Sequence, residues 1–541
     1  MKKIIMIWGI LFIFNGSLFA EKIPVKKEES ENSKPLELPN FVIERVEQLN
    51  VTVGKKQLPI APEPLTVAQL DSLNSFEKQQ VVPIASEKFP DKILNNYFSS
   101  GFVKGSFGRF TTGDIEAAYG VNKYGYELYT NAGFQAASGH ITDADFKKGF
   151  LKISSDYIAP MKYLFFGGSR TRAQLLFNGA GYHCYGSKDA DFKQNGSYNR
   201  SAYNFDFSVN SEGEYKGVNF RTGAGFRTLR LNSDNDKANE NALSVYLKLH
   251  NYWNKFLLAA NLKLDLQSVS SAPSNFAQAD VSGKYFDDKI SINATAGLQY
   301  AKSTMLNDRG GLLLAGDIEY RLNQNFTLFA KVKTGLNPKP YADFFNENPY
   351  IEYKTVVDFA YDIIKLDFFA YYHPTEKMAI SIGGGYNAID RMPYYTDKTD
   401  GTFMVNYDLA KGVNFEAESW VEISPKDKIT ANIKTAFYTL NDGKSVPYTP
   451  NLKLSTKYER NITDDFIGNV GLAVVGPCFA DIANTTKINA YADVSLGLEY
   501  RVMKTFSIYV NSSNLLNQNI YIWNGYKERS LFFNGGLMWQ F

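Results

Sequence analysis

The sequence predicts an all-β protein: a transmembrane antiparallel β-barrel of about 22 strands over residues 97–541, preceded by a short extended arm. Three observations carry that prediction. Apolar and polar residues alternate in segment after segment, with no helical stretch between them. The connections joining those segments alternate between short and long. Aromatic residues make up 15% of the chain, with 35 Tyr and 40 Phe, which suits strands that are half lipid-facing and girdled by rings at both interfaces.

The N-terminus opens with Met1, Lys2 and Lys3, an apolar run from Ile4 to Phe14, and small residues closing at Ala20. A basic start, a short apolar core and a small residue before a polar stretch describe a secretory signal peptide over 1–20. The run is too short for a spanning helix, which needs about 20 residues. Residues 21–96 read as a periplasmic or lumenal arm. It is rich in Lys and Glu at first, then punctuated by Pro59, Pro62, Pro64, Pro83 and Pro90. Prolines at that spacing disfavour a central strand or long helix, which leaves an extended chain with one short helix near 66–80.

From residue 97 the pattern becomes that of strands. Ile488, Ala490, Ala492, Val494, Leu496, Leu498 and Tyr500 share one face, and Asn489, Tyr491, Asp493, Ser495, Gly497, Glu499 and Arg501 the other. Leu258, Ala260, Leu262, Leu264 and Leu266 oppose Asn261, Lys263, Asp265 and Gln267. Leu243, Val245, Leu247 and Leu249 oppose Ser244, Tyr246, Lys248 and His250. A soluble sheet also alternates, so the connections decide the matter. Short turns are expected near 156–162, 211–214, 251–255, 287–289, 322–325, 373–376, 424–428, 461–464 and 503–505. Longer loops are expected near 184–199, 231–241, 302–311, 337–355, 391–402, 441–450, 477–486 and 516–529. Short on one rim and long on the other is the outer-membrane pattern, with the long loops outside the cell. An even strand count requires Phe403–Ile423 to be one long strand rather than two around Leu409–Gly412.

Several classes of chemistry are disfavoured. The net charge is +2, which does not suggest nucleic-acid binding. Two cysteines, Cys184 and Cys478, are too few for a disulfide framework and fall in loops. The four histidines, His140, His183, His250 and His373, are scattered, and no catalytic constellation assembles from sequence neighbours. Gly443, Lys444 and Ser445 resemble the end of a phosphate loop, but Tyr438 stands where its first glycine belongs. Asp234, Asn235, Asp236 and Glu240 lack the glycine and spacing of a calcium loop and read as a solvated acidic loop. No enzyme, cofactor or metal site is expected.

The C-terminal strand has Phe533, Gly535, Leu537, Trp539 and Phe541 on one face. A terminal strand closing on Phe resembles the signal by which the barrel assembly machinery recognises outer-membrane barrels. The segment Asn511–Trp523 and this last strand resemble the close of TonB-dependent outer-membrane receptors. Val446–Leu454, Tyr372–Lys377 and Gly412–Ala417 are similar to stretches of the same family. The motifs cover roughly 370–541, and 97–370 matches by architecture alone. The resemblance implies a 22-stranded barrel in the outer membrane of a Gram-negative bacterium, working with TonB. Family barrels are filled by an N-terminal plug of well over a hundred residues. Here the 76 residues between 20 and 97 lack its Gly- and Arg-rich strands, so the plug reads as reduced or absent. Leu38, Pro39, Phe41, Val42 and Ile43 are similar to the short box that engages TonB by strand addition.

Arg221, Arg227, Lys263, Asp265, Asp493, Glu499 and Arg501 face the lumen by parity and are the candidate solute-lining residues. The aromatic loop 337–355 is a candidate constriction. The expected function is a barrel transporter or receptor that moves or binds a solute at the outer membrane. The alternatives are a passive porin-like channel and a barrel that anchors a surface partner such as a lipoprotein.

Overall fold

The computed structural model describes residues 100–541 other than 124–125, 162–166, 187–197, 234–235, 271, 304–307 and 399. The signal peptide read at 1–20, the arm at 21–96 and its segment Leu38–Ile43 lie outside the described residues.

Twenty-two antiparallel strands form one closed barrel running from Gly101–Gly108 to Phe532–Gln540. Each strand pairs with its successor in the chain, and the last returns to the first: Phe102 faces Gln540 and Gly108 faces Asn534. Gly101 and Phe541 complete the seam by exchanging backbone hydrogen bonds of 2.9 and 3.0 Å. Backbone groups have no partners in hydrocarbon, so closure is what lets such a sheet cross lipid.

The alternation seen in the sequence sorts the two surfaces. Leu258, Leu262, Leu264 and Leu266 are exposed on the outer wall, as are Leu243, Val245 and Leu249 on the neighbouring strand. Lys263, Asp265 and Gln267 alternate with them and face inward. Beside the turns on the C-terminal rim stands a ring of exposed aromatics, including Tyr126, Tyr157, Trp253, Tyr320, Tyr372 and Tyr500. Rings whose one end is apolar and the other polar settle at a membrane–water boundary. The wall is thus that of a transmembrane barrel of the outer-membrane kind. Its first strand rises from the periplasmic rim, and its last returns there.

A spanning strand needs about 9–11 residues. Met378–Asp397 and Phe403–Ser424 have 20 and 22, so they continue above the membrane as a tall collar. Phe403–Ser424 is the single strand that parity required. The Asp-Leu-Ala-Lys-Gly stretch that mimics a turn instead lies opposite a register shift between Ile389 and Met392. Arg391 bulges out there with φ of 55°.

Three expected connections move. The turn expected at 211–214 lies at Lys216 and Gly217, with φ of 50° and 80°. Two successive left-handed residues make the tight hairpin that matches strand twist, and Gly217 takes that conformation without strain. The loops expected at 231–241 and 391–402 shrink, because strands run to Ser233 and from Lys237, and to Asp397 and from Phe403. On the first of these tops Ala238 and Glu240 face the inside of the collar, while Lys237, Asn239 and Asn241 alternate with them on its exposed outer face. The strand read at 487–501 starts at Tyr491, since Lys487–Ile488 pairs with Cys478–Phe479 within a loop. Both cysteines are free.

Candidate functional site

The largest buried cluster lies inside the collar, where the loop after Asn337 folds over the lumen. That loop carries the helix Tyr341–Glu347. Pro340 precedes the helix in an extended conformation and offers no side-chain cap, while Asp343 in the first turn suits the positive end of the dipole. The missing cap comes from the wall: the Glu240 carboxylate accepts the Ala342 N–H at 2.5 Å. Glu240 is fully buried, which corrects its reading as part of a solvated loop. A carboxylate beneath a helix N-terminus is favourably placed for the dipole.

Tyr341, Phe344 and Ile351 pack against Ala202, Leu229 and Leu231 of the wall. Polar ties hold the loop on both sides. Arg227 donates to Asp206 at 3.0 Å on the wall and to Asp343 of the helix at 3.2 Å. At the loop's own root, on the strand Met378–Asp397 that pairs with the one following the loop, Tyr395 donates to Glu347 at 2.8 Å, and Arg391 pairs with Asp358 at 3.0 Å. Arg200 is buried with 1% of its surface exposed. It donates to the Pro349 and Ile351 carbonyls at 2.9 and 2.8 Å and to the Tyr353 hydroxyl at 3.0 Å. Its guanidinium also lies over the Tyr353 ring, 4.4 Å from the centroid.

A second loop, 514–531, meets the first over the mouth. Tyr526 stacks on Tyr350 with centroids 3.6 Å apart, and Trp523 meets Tyr395 and Phe403 at 5.1 Å. The Tyr526 hydroxyl donates to the Gly401 carbonyl at 2.6 Å, and Asn524 donates to Asp397 at 2.5 Å. Tyr448 also donates to Asp397. His140 Nε2–H donates to the Lys527 carbonyl at 2.7 Å, and burial lowers the affinity of this imidazole for a second proton.

The candidate lining residues divide by position. Arg227, Lys263 and Asp265 converge on one cavity of about 380 Å³ beneath the helix. Arg221 sits lower on the same wall, paired with Glu212 at 2.8 Å. Asp493, Glu499 and Arg501 lie on Tyr491–Met503, which is not a neighbour of the cavity strands. There Asp493 accepts the Asn514 N–H at 2.6 Å and so fixes the start of the second loop, while Arg501 faces Asp465 at 3.8 Å. Phe533, Leu537, Trp539 and Phe541 are all exposed on the outer wall. Sequence reasoning missed Arg200 and Glu240, whose partners lie more than a hundred residues away. The one available signal was the lumen parity of both strands. Among the described residues no acidic or thiol–imidazole cluster could hold a metal.

These features define a large outer-membrane barrel whose surface-side mouth is narrowed by its own aromatic loops. No protein-family model matches the sequence, and no curated protein does. Among solved structures, the FrpB iron transporter from Neisseria meningitidis (F5-1 variant) superposes with a TM-score of 0.65 at 7% identity, covering 82% of each chain. The ferric-catecholate import receptor Fiu from K12 E. coli gives 0.60 at 11% identity, with the same coverage of each chain. The copper transporter OprC gives 0.60 at 12% identity, over 82% of this chain and 81% of the other. The chain therefore has the fold of TonB-dependent outer-membrane receptors, and these structural neighbours are transporters and receptors rather than enzymes.

Proposed function

We propose that this protein carries a solute across the outer membrane through a lumen that is normally shut, with loop 338–359 as its surface-side gate. The observation that supports this reading is the attachment of that loop. It is anchored to the far wall by Arg200, Arg227 and Glu240 and beside its own root by Tyr395 and Arg391. An open diffusion pore has no need of so many ties. In the same reading residues 21–96 take the place of a plug, and Leu38–Ile43 docks on TonB by strand addition.

Replacing residues 339–357 by a short Gly–Ser linker should raise single-channel conductance in planar bilayers several-fold. Deleting residues 21–96 should raise it further, and the two changes together most. Conductance that stays at the level of the intact chain in all three variants overturns the reading. Binding of a peptide spanning 38–60 to the periplasmic domain of TonB, abolished by Val42→Pro, tests the coupling separately.

A further inference from the structure

We propose that the outer wall of the barrel around Lys147 and Arg230 is a docking surface for the phosphorylated sugar head of an outer-leaflet glycolipid. The proposal concerns the bilayer side of the wall and is independent of how the lumen is gated.

The depth of these residues is set by the strands that carry them. Lys147 stands ten residues up its strand from Tyr157 of the lower aromatic ring, and Arg230 twelve up from Val218 beside its turn. A strand crosses hydrocarbon in about 9–11 residues, so both side chains emerge at the headgroup level of the outer leaflet. Beneath them the same face is oily, with Phe177, Phe207, Phe226 and Leu243 exposed. Tyr203 is exposed beside Arg230, as suits a ring at the boundary.

At that level the face changes character. Register sets Lys147, Gly181, Ser201, Asn232 and Lys237 side by side across five strands, and Arg230 lies next to Asn239 in the row below. Lys147, Arg230 and Lys237 are all exposed, and no described carboxylate pairs with any of the three. Between Lys147 and Asn232 lies an open notch of about 390 Å³, lined also by Gly181, Asn199 and Ser201. No described atom lies within 4 Å of where a side chain on Gly181 would begin. The acid in the notch, Asp145, is engaged by His183 at 3.1 Å and leaves the cations in excess. Lys147 and Arg230 are three strands apart, about 14 Å at the ordinary strand spacing. Cations at both ends with neutral amides and hydroxyls between them fit a short sugar carrying a phosphate at each end, its acyl chains on the oily face below. Basic residues beside an anionic leaflet attract it directly. A zwitterionic phospholipid brings one phosphate and masks it with its own cation.

The test uses the full chain, purified in non-ionic detergent and stripped of lipid, with bound lipid counted by native mass spectrometry. It is titrated with lipid A bearing two phosphates, with lipid A from which both have been removed, and with phosphatidylglycerol. The diphosphorylated form should bind saturably, at least roughly ten-fold more tightly than the other two, and should weaken as salt rises. Lys147→Gln, Arg230→Gln and Lys237→Gln combined should lower its affinity roughly a hundred-fold, at roughly five-fold for each basic residue. Lys411→Gln removes an exposed cation from the outer face of the distant strand Phe403–Ser424 and should leave the affinity unchanged. Gly181→Gln fills the notch without changing charge and should weaken binding several-fold. Heat-modifiable gel mobility confirms that each variant is folded. Equal binding of dephosphorylated lipid A or of phosphatidylglycerol, a triple variant that binds like the unmodified chain, or an equal loss in Lys411→Gln would each overturn the proposal.

Discussion

Arg200 is a cation withdrawn from water with carbonyl oxygens and rings around it and, among the described residues, no carboxylate in ion-pair contact. Hydrogen bonds from a charged donor are worth about 1.5–3 kcal/mol each, and the acceptors it leaves behind would be buried and unpaired. Arg200→Met should therefore destabilise the folded position of loop 338–359 by about 3 kcal/mol or more. Hydrogen exchange should show lost protection there and intact protection in the strands. Arg200→Lys keeps the charge but not the fork of donors, and should fall between. A second residue gives a pH signature. Burial pushes the Asp481 carboxyl up, but hydrogen bonds from the Thr485 and Thr486 backbone and the Thr485 hydroxyl outweigh it and hold the group down at about 2. A depressed pKa stabilises the fold above the ordinary aspartate value, and that contribution disappears as pH falls through the folded value. Pepsin cleavage within 476–490 should accelerate between pH 4 and pH 2, relative to cleavage elsewhere. In Asp481→Ala the loop should already be cut at pH 4. At this scale the sequence was partly legible. Arg227, Lys263 and Asp265 declared themselves by alternation alone, whereas Arg200 and Glu240 acquire meaning only through a loop distant in the chain.

Strands were more legible than their ends. The alternation of Leu258–Leu266 separates an oily face from a wet one by its own residues, and the pattern of short and long connections then says that the oily face meets lipid. Where a strand rises above the membrane, its outer face no longer needs to be oily, and the code fades. That is why the tops of Lys237–Trp253 and Met378–Asp397 read as loop. The hairpin at Lys216 and Gly217 was displaced for a different reason: Ser211–Glu214 has turn-like composition but pairs in register with Asn219–Thr222. Gly217 at φ of 80° is the residue that hairpin cannot easily replace. Gly217→Val should cost about 1–2 kcal/mol, from the left-handed conformation forced on a residue with a Cβ. The shift would be measured by urea titration of the refolded, heat-modifiable band. Gly225, on the strand that follows the turn and without a left-handed φ, serves as the control site.

The whole molecule depends on a seam between its two ends. Phe541 packs against Trp539 at 4.9 Å and Tyr119 at 6.3 Å, on the outer wall where first and last strands meet. If the terminal aromatic face is read by the assembly machinery, Phe541→Ser should slow accumulation of folded barrel in cells. Protein that does assemble should keep nearly its full thermal stability, as read by heat-modified gel mobility. The strand count was legible from parity because both rims of a closed cylinder must be visited equally often. The lumen's contents were not, since packing there joins distant segments that no local pattern links. One such junction has a mechanical meaning. Tyr350 and Tyr526 belong to loops rooted far apart around the circumference, and their stacked rings bind these roots together. A tube with a tie across its opening resists being squashed into an ellipse, so the hoop should stay round under lateral pressure from the bilayer until that tie is released.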